Sequence, residues 1–576
     1  MSTRRGIVAF LVLLTGLGGI VLLAAIRLRG PVSAEHTVIT FDVPSELEES
    51  EAPAQGFSLR RFRRETTTLY DLVTGLRAAA EDEHVDAIVL HVDDVRWGWA
   101  KLGEVRRALQ AFPRAGKRVY ASLGPGAGEA EYLLASAAGV VGMPPTATLG
   151  LNGLSLSVMF MKGTFDKIGV TPDFDHIGAY KSAVEGYTRT GMSVPAREAL
   201  QAVLDDHYRL LVDSLATARH MTRPAVARAL DDGPYTGRLA RARGLVDTLI
   251  YDADLDSLAL ARAGRHAQAM SLSRYLDRVP ESRAGRHIAL VVAEGTIVPG
   301  RSRQGPGEGR EVGAETLIES LREARRRGAI RAIVLRIDSP GGSAQASDDI
   351  WREVDRCRRS KPVIVSMSDY AASGGYYIAA PADSIVADPA TLTGSIGIFG
   401  GKFNVRGLLS KLGLSVETIS RGDHADMFSP FSNFSPEEAR RFHAMLEDGY
   451  RNFLDRVARG RRRSTAQVEA VAGGRVWTGL AARSRGLVDR LGGIEEAIAM
   501  ARARAGIGRD EEIVVERFPK VKRSFLQGLI EDLVDEQDAA RDGEIRLPPV
   551  LQAYLAAARL PAGQALALMP YSIEVR

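Results

Sequence analysis

Ala87-Ile-Val-Leu-His-Val-Asp93 and Ala332-Ile-Val-Leu-Arg-Ile-Asp338 are one apolar segment written twice in a single chain. The echo extends to both sides. Lys117-Arg-Val-Tyr-Ala-Ser122 returns as Lys361-Pro-Val-Ile-Val-Ser366, and Tyr235-Thr-Gly with Gly244-Leu-Val-Asp247 returns as Trp477-Thr-Gly with Gly486-Leu-Val-Asp489. The chain therefore reads as one fold duplicated in tandem. In the first copy the hydrophobic spacing predicts a helix over Leu69–Ala80, a buried strand over Ala87–Val92, a helix over Leu102–Phe112 and a strand over Arg118–Ser122. The second copy repeats this with Glu315–Arg327, Ala332–Ile337, Asp348–Arg358 and Val363–Met367. Strands that alternate with helices imply parallel pairing through right-handed crossovers, so the predicted class is α/β.

The repeat divides the 576 residues into six parts. Residues 1–29 form an N-terminal membrane anchor, 30–65 a linker without sustained periodicity, and 66–265 the first repeat domain. A connector with a Gly-rich loop follows over 266–313, then the second repeat domain over 314–510 and a C-terminal extension over 511–576. The anchor rests on Gly6 to Ile26, 21 uncharged residues, long enough to cross a bilayer at about 20 residues per span. A cleaved signal peptide is the rival, but its apolar part is shorter, and this run ends on Arg27-Leu-Arg29 rather than on small residues. Ser302–Gly313 lacks the Lys-Ser/Thr ending of a phosphate-binding loop and reads as a surface loop. The extension is expected to hold a helix at Phe525–Glu536 and an apolar end, Ala565–Ile573. That end has three open placements, in order of preference: core, interface, or a segment lying in a neighbour's cleft.

Composition excludes some function classes. A net charge of +4 is small for this length, and no dense basic block pairs with aromatics, so nucleic acid is not an expected partner. The single cysteine, Cys357, lies in a charged helical stretch without a partner at suggestive spacing, which argues against a thiol nucleophile or a metal ligand. The ten histidines are scattered, so a Ser-His-Asp arrangement lacks its parts.

Carrying the register of the repeat onward, each copy keeps a different reactive group. Ser373 in Ala371-Ala-Ser-Gly-Gly-Tyr falls opposite Glu129, and Lys181 in Gly178-Ala-Tyr-Lys-Ser-Ala-Val falls opposite Ala425. Asp338-Ser-Pro-Gly-Gly-Ser343 turns from a strand into a helix and leaves unshielded backbone amides, whereas the first copy has Asp93-Asp-Val-Arg-Trp-Gly98 there. Such amides suit the oxyanion of a tetrahedral intermediate, with Gly342 and Gly374 as its donors. Taken singly, Ser373 reads as a helix N-cap, Lys181 as a surface lysine and Ser395 as a turn residue. Together they read as a nucleophile, a base whose proton is loosened by burial, and a group that orients the base.

Asp338-Ser-Pro-Gly-Gly-Ser, Ala371-Ala-Ser-Gly-Gly-Tyr, Leu392-Thr-Gly-Ser-Ile-Gly-Ile-Phe, Val476-Trp-Thr-Gly and Tyr180-Lys-Ser-Ala-Val-Glu together resemble the signal peptide peptidase A family in its long, duplicated bacterial form. The resemblance runs from about residue 66 to 505, plus the anchor. It implies a tandem Clp-protease/crotonase-like fold and a Ser-Lys dyad with Ser373 as nucleophile, Lys181 as general base and Ser395 steadying the lysine. It further implies a homotetramer in the inner membrane facing the periplasm, with signal peptides and other hydrophobic peptides as substrates and no cofactor or metal. Gly186, where the family often has proline, departs from the pattern. Two rival readings are a crotonase-like enzyme acting on acyl-thioesters, which needs carboxylates at the oxyanion site and a coenzyme A site, and a silent membrane scaffold.

Overall fold

The computed structural model describes residues 36–50, 67–279, 284–303, 310–520 and 565–569. The predicted anchor and the Phe525–Glu536 helix lie outside these, as do residues 304–309 of the Gly-rich loop. No helix among the described residues is long and apolar enough to cross a membrane.

Each half builds its own parallel sheet, and the two sheets share one strand order. In the first the order is Thr248–Leu249, Val140–Met143, Arg118–Leu123, Val85–Val92, Thr37–Asp42, Gln268–Ser271. In the second, Arg490–Leu491, Ser384–Ala387, Val363–Ala372, Ile330–Ser339, Arg286–Glu294 and Ile513–Phe518 follow each other in the same sense. The repeated motif Ala-Ile-Val-Leu is the centre of each sheet. Both faces are covered by helices, so Val85–Val92 and Ile330–Ser339 are apolar almost without alternation.

The linker assigned to residues 30–65 needs correction. Thr37–Asp42 is an inner strand of the first sheet, paired in parallel with Val85–Val92 on one side and Gln268–Ser271 on the other. The connector and the extension likewise supply sheet strands, Arg286–Glu294 and Ile513–Phe518, so both repeats reach past the bounds of 66–265 and 314–510. A strand of six residues buried on both faces shows no period of two, and one turn of apolar sequence beside acidic loop residues resembles a linker.

The halves are joined by packing and by charge. Ile288, Leu290, Val334 and Ile364 of the second sheet belong to the same core cluster as Leu72, Leu90 and Val105 of the first half. The fully buried Arg336 stands where the first repeat has His91. Its Nε and Nη2 donate to the two carboxylate oxygens of Glu49 at 2.9 and 2.8 Å, and its Nη1 lies 2.8 Å from Glu104 Oε1. Asp369 of the second half accepts from the amides of Ala100 and Lys101 and so caps the helix Trp99–Leu109 of the first, whose own cap residue, Gly98, has no side chain to offer.

A third sheet crosses between the halves. Thr171–Ile177 of the first half runs antiparallel to Ile398–Asn404 of the second, and beyond it stand Leu566–Leu568, Gly341–Ser343, Thr296–Val298 and Glu311–Gly313. This crossing carries Lys181 into the second half.

Candidate active site

The strand leading to Ser373 is longer than its counterpart. Val363–Ala372 has 10 residues where Arg118–Leu123 has 6, and the added turn pairs with Leu392–Gly394. Ser373 itself sits between this strand and the helix Gly374–Ala379 at φ 54°, ψ −110°. A non-glycine residue held there costs on the order of 1–3 kcal/mol and persists only where its surroundings enforce it. Here the Ser373 amide donates to Gly394 O at 2.8 Å. The side chain makes no capping bond, which removes the N-cap reading.

Lys181 follows the crossing strand Thr171–Ile177 through a turn closed by Gly178 O and the Lys181 amide at 3.0 Å. Backbone meets backbone at Gly474, where φ is +84° and an added Cβ would lie 2.5 Å from Lys181 N. Only glycine admits the lysine so close. The Lys181 Nζ lies 2.8 Å from Ser373 Oγ, 3.1 Å from Ser395 Oγ and 3.2 Å from Ser395 O. All three side chains are wholly buried. Burial holds the Lys181 ammonium well below a lysine's ordinary value, and no carboxylate opposes that shift. The surface-lysine reading is thereby removed as well.

The two predicted oxyanion donors also converge. Gly342 lies in the strand Gly341–Ser343, and Gly374 opens the helix after Ser373. A Cβ on Gly341 would stand 2.7 Å from the Gly374 nitrogen, so the two backbones nearly touch. Opposite Ser373 in the repeat, Glu129 spends its carboxylate on the amides of Asn152 and Gly153, at 2.8 and 2.9 Å. That side chain staples a loop of the first half. Cys357 is buried with its thiol pushed up to about 12, chiefly by desolvation, and is unreactive there.

Sequence reasoning missed the clamp that holds the lysine turn. The Arg475 guanidinium lies over the rings of Tyr180 and Trp477, 4.8 and 4.4 Å from their centroids, and its Nη1 donates to Glu198 at 2.6 Å. Its partners belong to different halves, so no local spacing announces it. Lys101, whose Nζ is 2.9 Å from Asp338 Oδ2, was missed for the same reason. Asp338 in turn accepts from the Tyr370 amide at 3.0 Å, tying the Pro-Gly-Gly turn to the Ser373 strand.

Ser395 supplies one of the two oxygens on the lysine. Changing Ser395→Ala should remove about 1.5–3 kcal/mol of positioning, or roughly 10- to 100-fold in the rate of inactivation by a serine-directed fluorophosphonate. An unchanged rate would remove Ser395 from the site.

The peptidase family S49 model matches residues 111–269 and again 355–508, one match for each repeat. The chain belongs to peptidase family S49. Over 461 residues it is 37% identical to a chloroplastic serine protease, SPPA, of Arabidopsis thaliana, covering 78% of this chain and 67% of that one. Protease 4 of Salmonella typhi is 34% identical over 489 residues, covering 82% and 78%. A putative signal peptide peptidase SppA of Enterococcus faecium matches only 32% of this chain, at 35% identity over 54% of its own length. Among solved structures, a membrane-bound stomatin-specific protease aligns with a TM-score of 0.26 at 16% identity, over 41% of this chain and 99% of that one. The S49 chain described here is thus an SppA-type serine protease built on a duplicated α/β fold.

Proposed function

We propose that this S49 protein is a membrane-anchored endopeptidase that degrades remnant signal peptides through a Ser373–Lys181 dyad. The observation that carries the reading is the 2.8 Å contact between Lys181 Nζ and Ser373 Oγ in a site closed to water. A neutral amine has two N–H groups and one lone pair. With the N–H groups turned to Ser395 O and Oγ, the lone pair faces the Ser373 hydroxyl and accepts its proton as Oγ attacks the peptide carbonyl. The Gly342 and Gly374 amides hold the oxyanion, the lysine returns its proton to the leaving amine, and water then releases the acyl-enzyme.

Residues 6–26 serve as the anchor in the inner membrane, the catalytic bulk faces the periplasm, and the enzyme is a homotetramer of the Clp-protease/crotonase type. The length of the apolar run and the family resemblance support this placement. Digestion of a synthetic signal peptide, followed by mass spectrometry, tests the function. The parent chain should cut within the apolar region and the Ser373→Ala chain should leave the peptide whole. Equal cutting by both would refute the dyad.

The charge on Lys181 sets the pH dependence. Its protonated form cannot act as base, so activity is lost on the acid side and recovers as pH rises through the lysine's depressed value. The kcat/KM profile should therefore level off well before about pH 10, where an exposed lysine is still largely charged. A profile still climbing there would mean the lysine is not desolvated.

A further inference from the structure

The strand Leu566–Leu568 enters the third sheet antiparallel to Gly341–Ser343, with Leu568 opposite Gly341, Ala567 opposite Gly342 and Leu566 opposite Ser343. Its flanks fix the phase of pairing. The Met569 amide donates to Pro340 O at 2.7 Å, and the Ala344 amide donates to Ala565 O at 3.2 Å. Hydrogen-bonded pairs alternate along an antiparallel ladder, so Gly342 and Ala567 form the bonded pair between them. The Ala567 carbonyl thereby meets one of the two amides assigned to the oxyanion.

It also crowds the other. Ala567 O lies 3.0 Å from where a Cβ on Gly374 would stand and 2.1 Å from one on Gly341, whose own Cβ position is 2.7 Å from Gly374 N. Glycines at both places let a peptide carbonyl reach this spot. On its other edge the strand pairs with Ile398–Asn404, Leu566 opposite Phe399. The side chains fill formed pockets. Ala567 is wholly buried, Leu566 packs on Ala183, Val184 and Phe399, and Met569 packs on Leu200, Val203 and Leu392.

We propose that Ala565–Met569 is a tethered pseudosubstrate. It lies in the peptide groove with Ala567 in the place of the residue before the cut, and free peptide must displace it to be cleaved. The proposal rests on the Ser373–Lys181 reading and adds a register to it. Substrates that compete best carry a small side chain at the Ala567 position, with apolar side chains one residue before it and two residues after it.

Two full-length variants test this, Ala567→Trp, too large for its slot, and Leu566→Asp, which puts a charge against Phe399. Both should react with a fluorophosphonate about tenfold faster than the parent and show a lower KM for an apolar reporter peptide at the same kcat. The free pentapeptide Ala-Leu-Ala-Leu-Met, added to either variant, should slow both reactions again. The proposal is overturned if both variants react at the parent's rate, if the pentapeptide does not slow them, or if both lose their melting transition, which would make the strand a structural part only. Absence of labelling in every chain, parent included, would instead refute the dyad.

Discussion

Changing Lys181→Met is expected to lower peptide hydrolysis at least about 10³-fold, and Ser373→Ala to lower it at least as far, with the double variant no worse than the single ones. Non-additivity is the informative part. Two groups that act as one unit are lost together when either is removed, whereas independent contributors would multiply. The measurement is kcat/KM of the three chains on one peptide. Lys181 is wholly buried without a counter-charge, so methionine, of similar length and apolar, relieves a desolvation cost. The Lys181→Met chain should therefore melt no lower than the parent. Loss of activity with retained or raised Tm marks the lysine as functional; a large fall in Tm would mark it as a structural residue.

The second large effect is on stability. Arg336 is wholly buried between Glu49 and Glu104, which come from the other half of the chain, and it also donates to Ser366 and Ser368. Changing Arg336→Ala leaves two buried carboxylates facing each other and should cost about 3–5 kcal/mol. The urea midpoint should fall accordingly. Lysine should not rescue it, because a single ammonium cannot reproduce the fork that serves both carboxylates. Because Glu49 lies beside the inner strand Thr37–Asp42, loss of this ion pair should loosen the contact between halves and slow the Ser373 reaction too. A change below about 1 kcal/mol, the level of an exposed pair, would show that the cluster does not join the halves.

Much of this was legible in sequence because duplication supplies its own comparison. The Ala-Ile-Val-Leu strands, the longer Ser373 strand and the complementary retention of Ser373 and Lys181 all emerge from aligning the chain with itself. What it hid has a common physical cause. Thr37–Asp42, Ile513–Phe518 and Leu566–Leu568 are short strands whose partners are distant in sequence, so no local period marks them. The Arg475 clamp and the Arg336 cluster likewise join residues of different halves. Their meaning exists only once the third sheet brings Thr171–Ile177 against Ile398–Asn404. The apolar C-terminal end was ranked first as core, and it is buried, but as an edge-filling strand beside the oxyanion amides.

The central claim is that one half's lysine activates the other half's serine, and peptide mapping of a fluorophosphonate adduct tests it most directly. The parent chain should carry a single adduct on the peptide containing Ser373, the Lys181→Met chain should carry almost none, and the melting transitions of the two should agree. An adduct on another residue, or undiminished labelling of Ser373 without Lys181, would contradict the account.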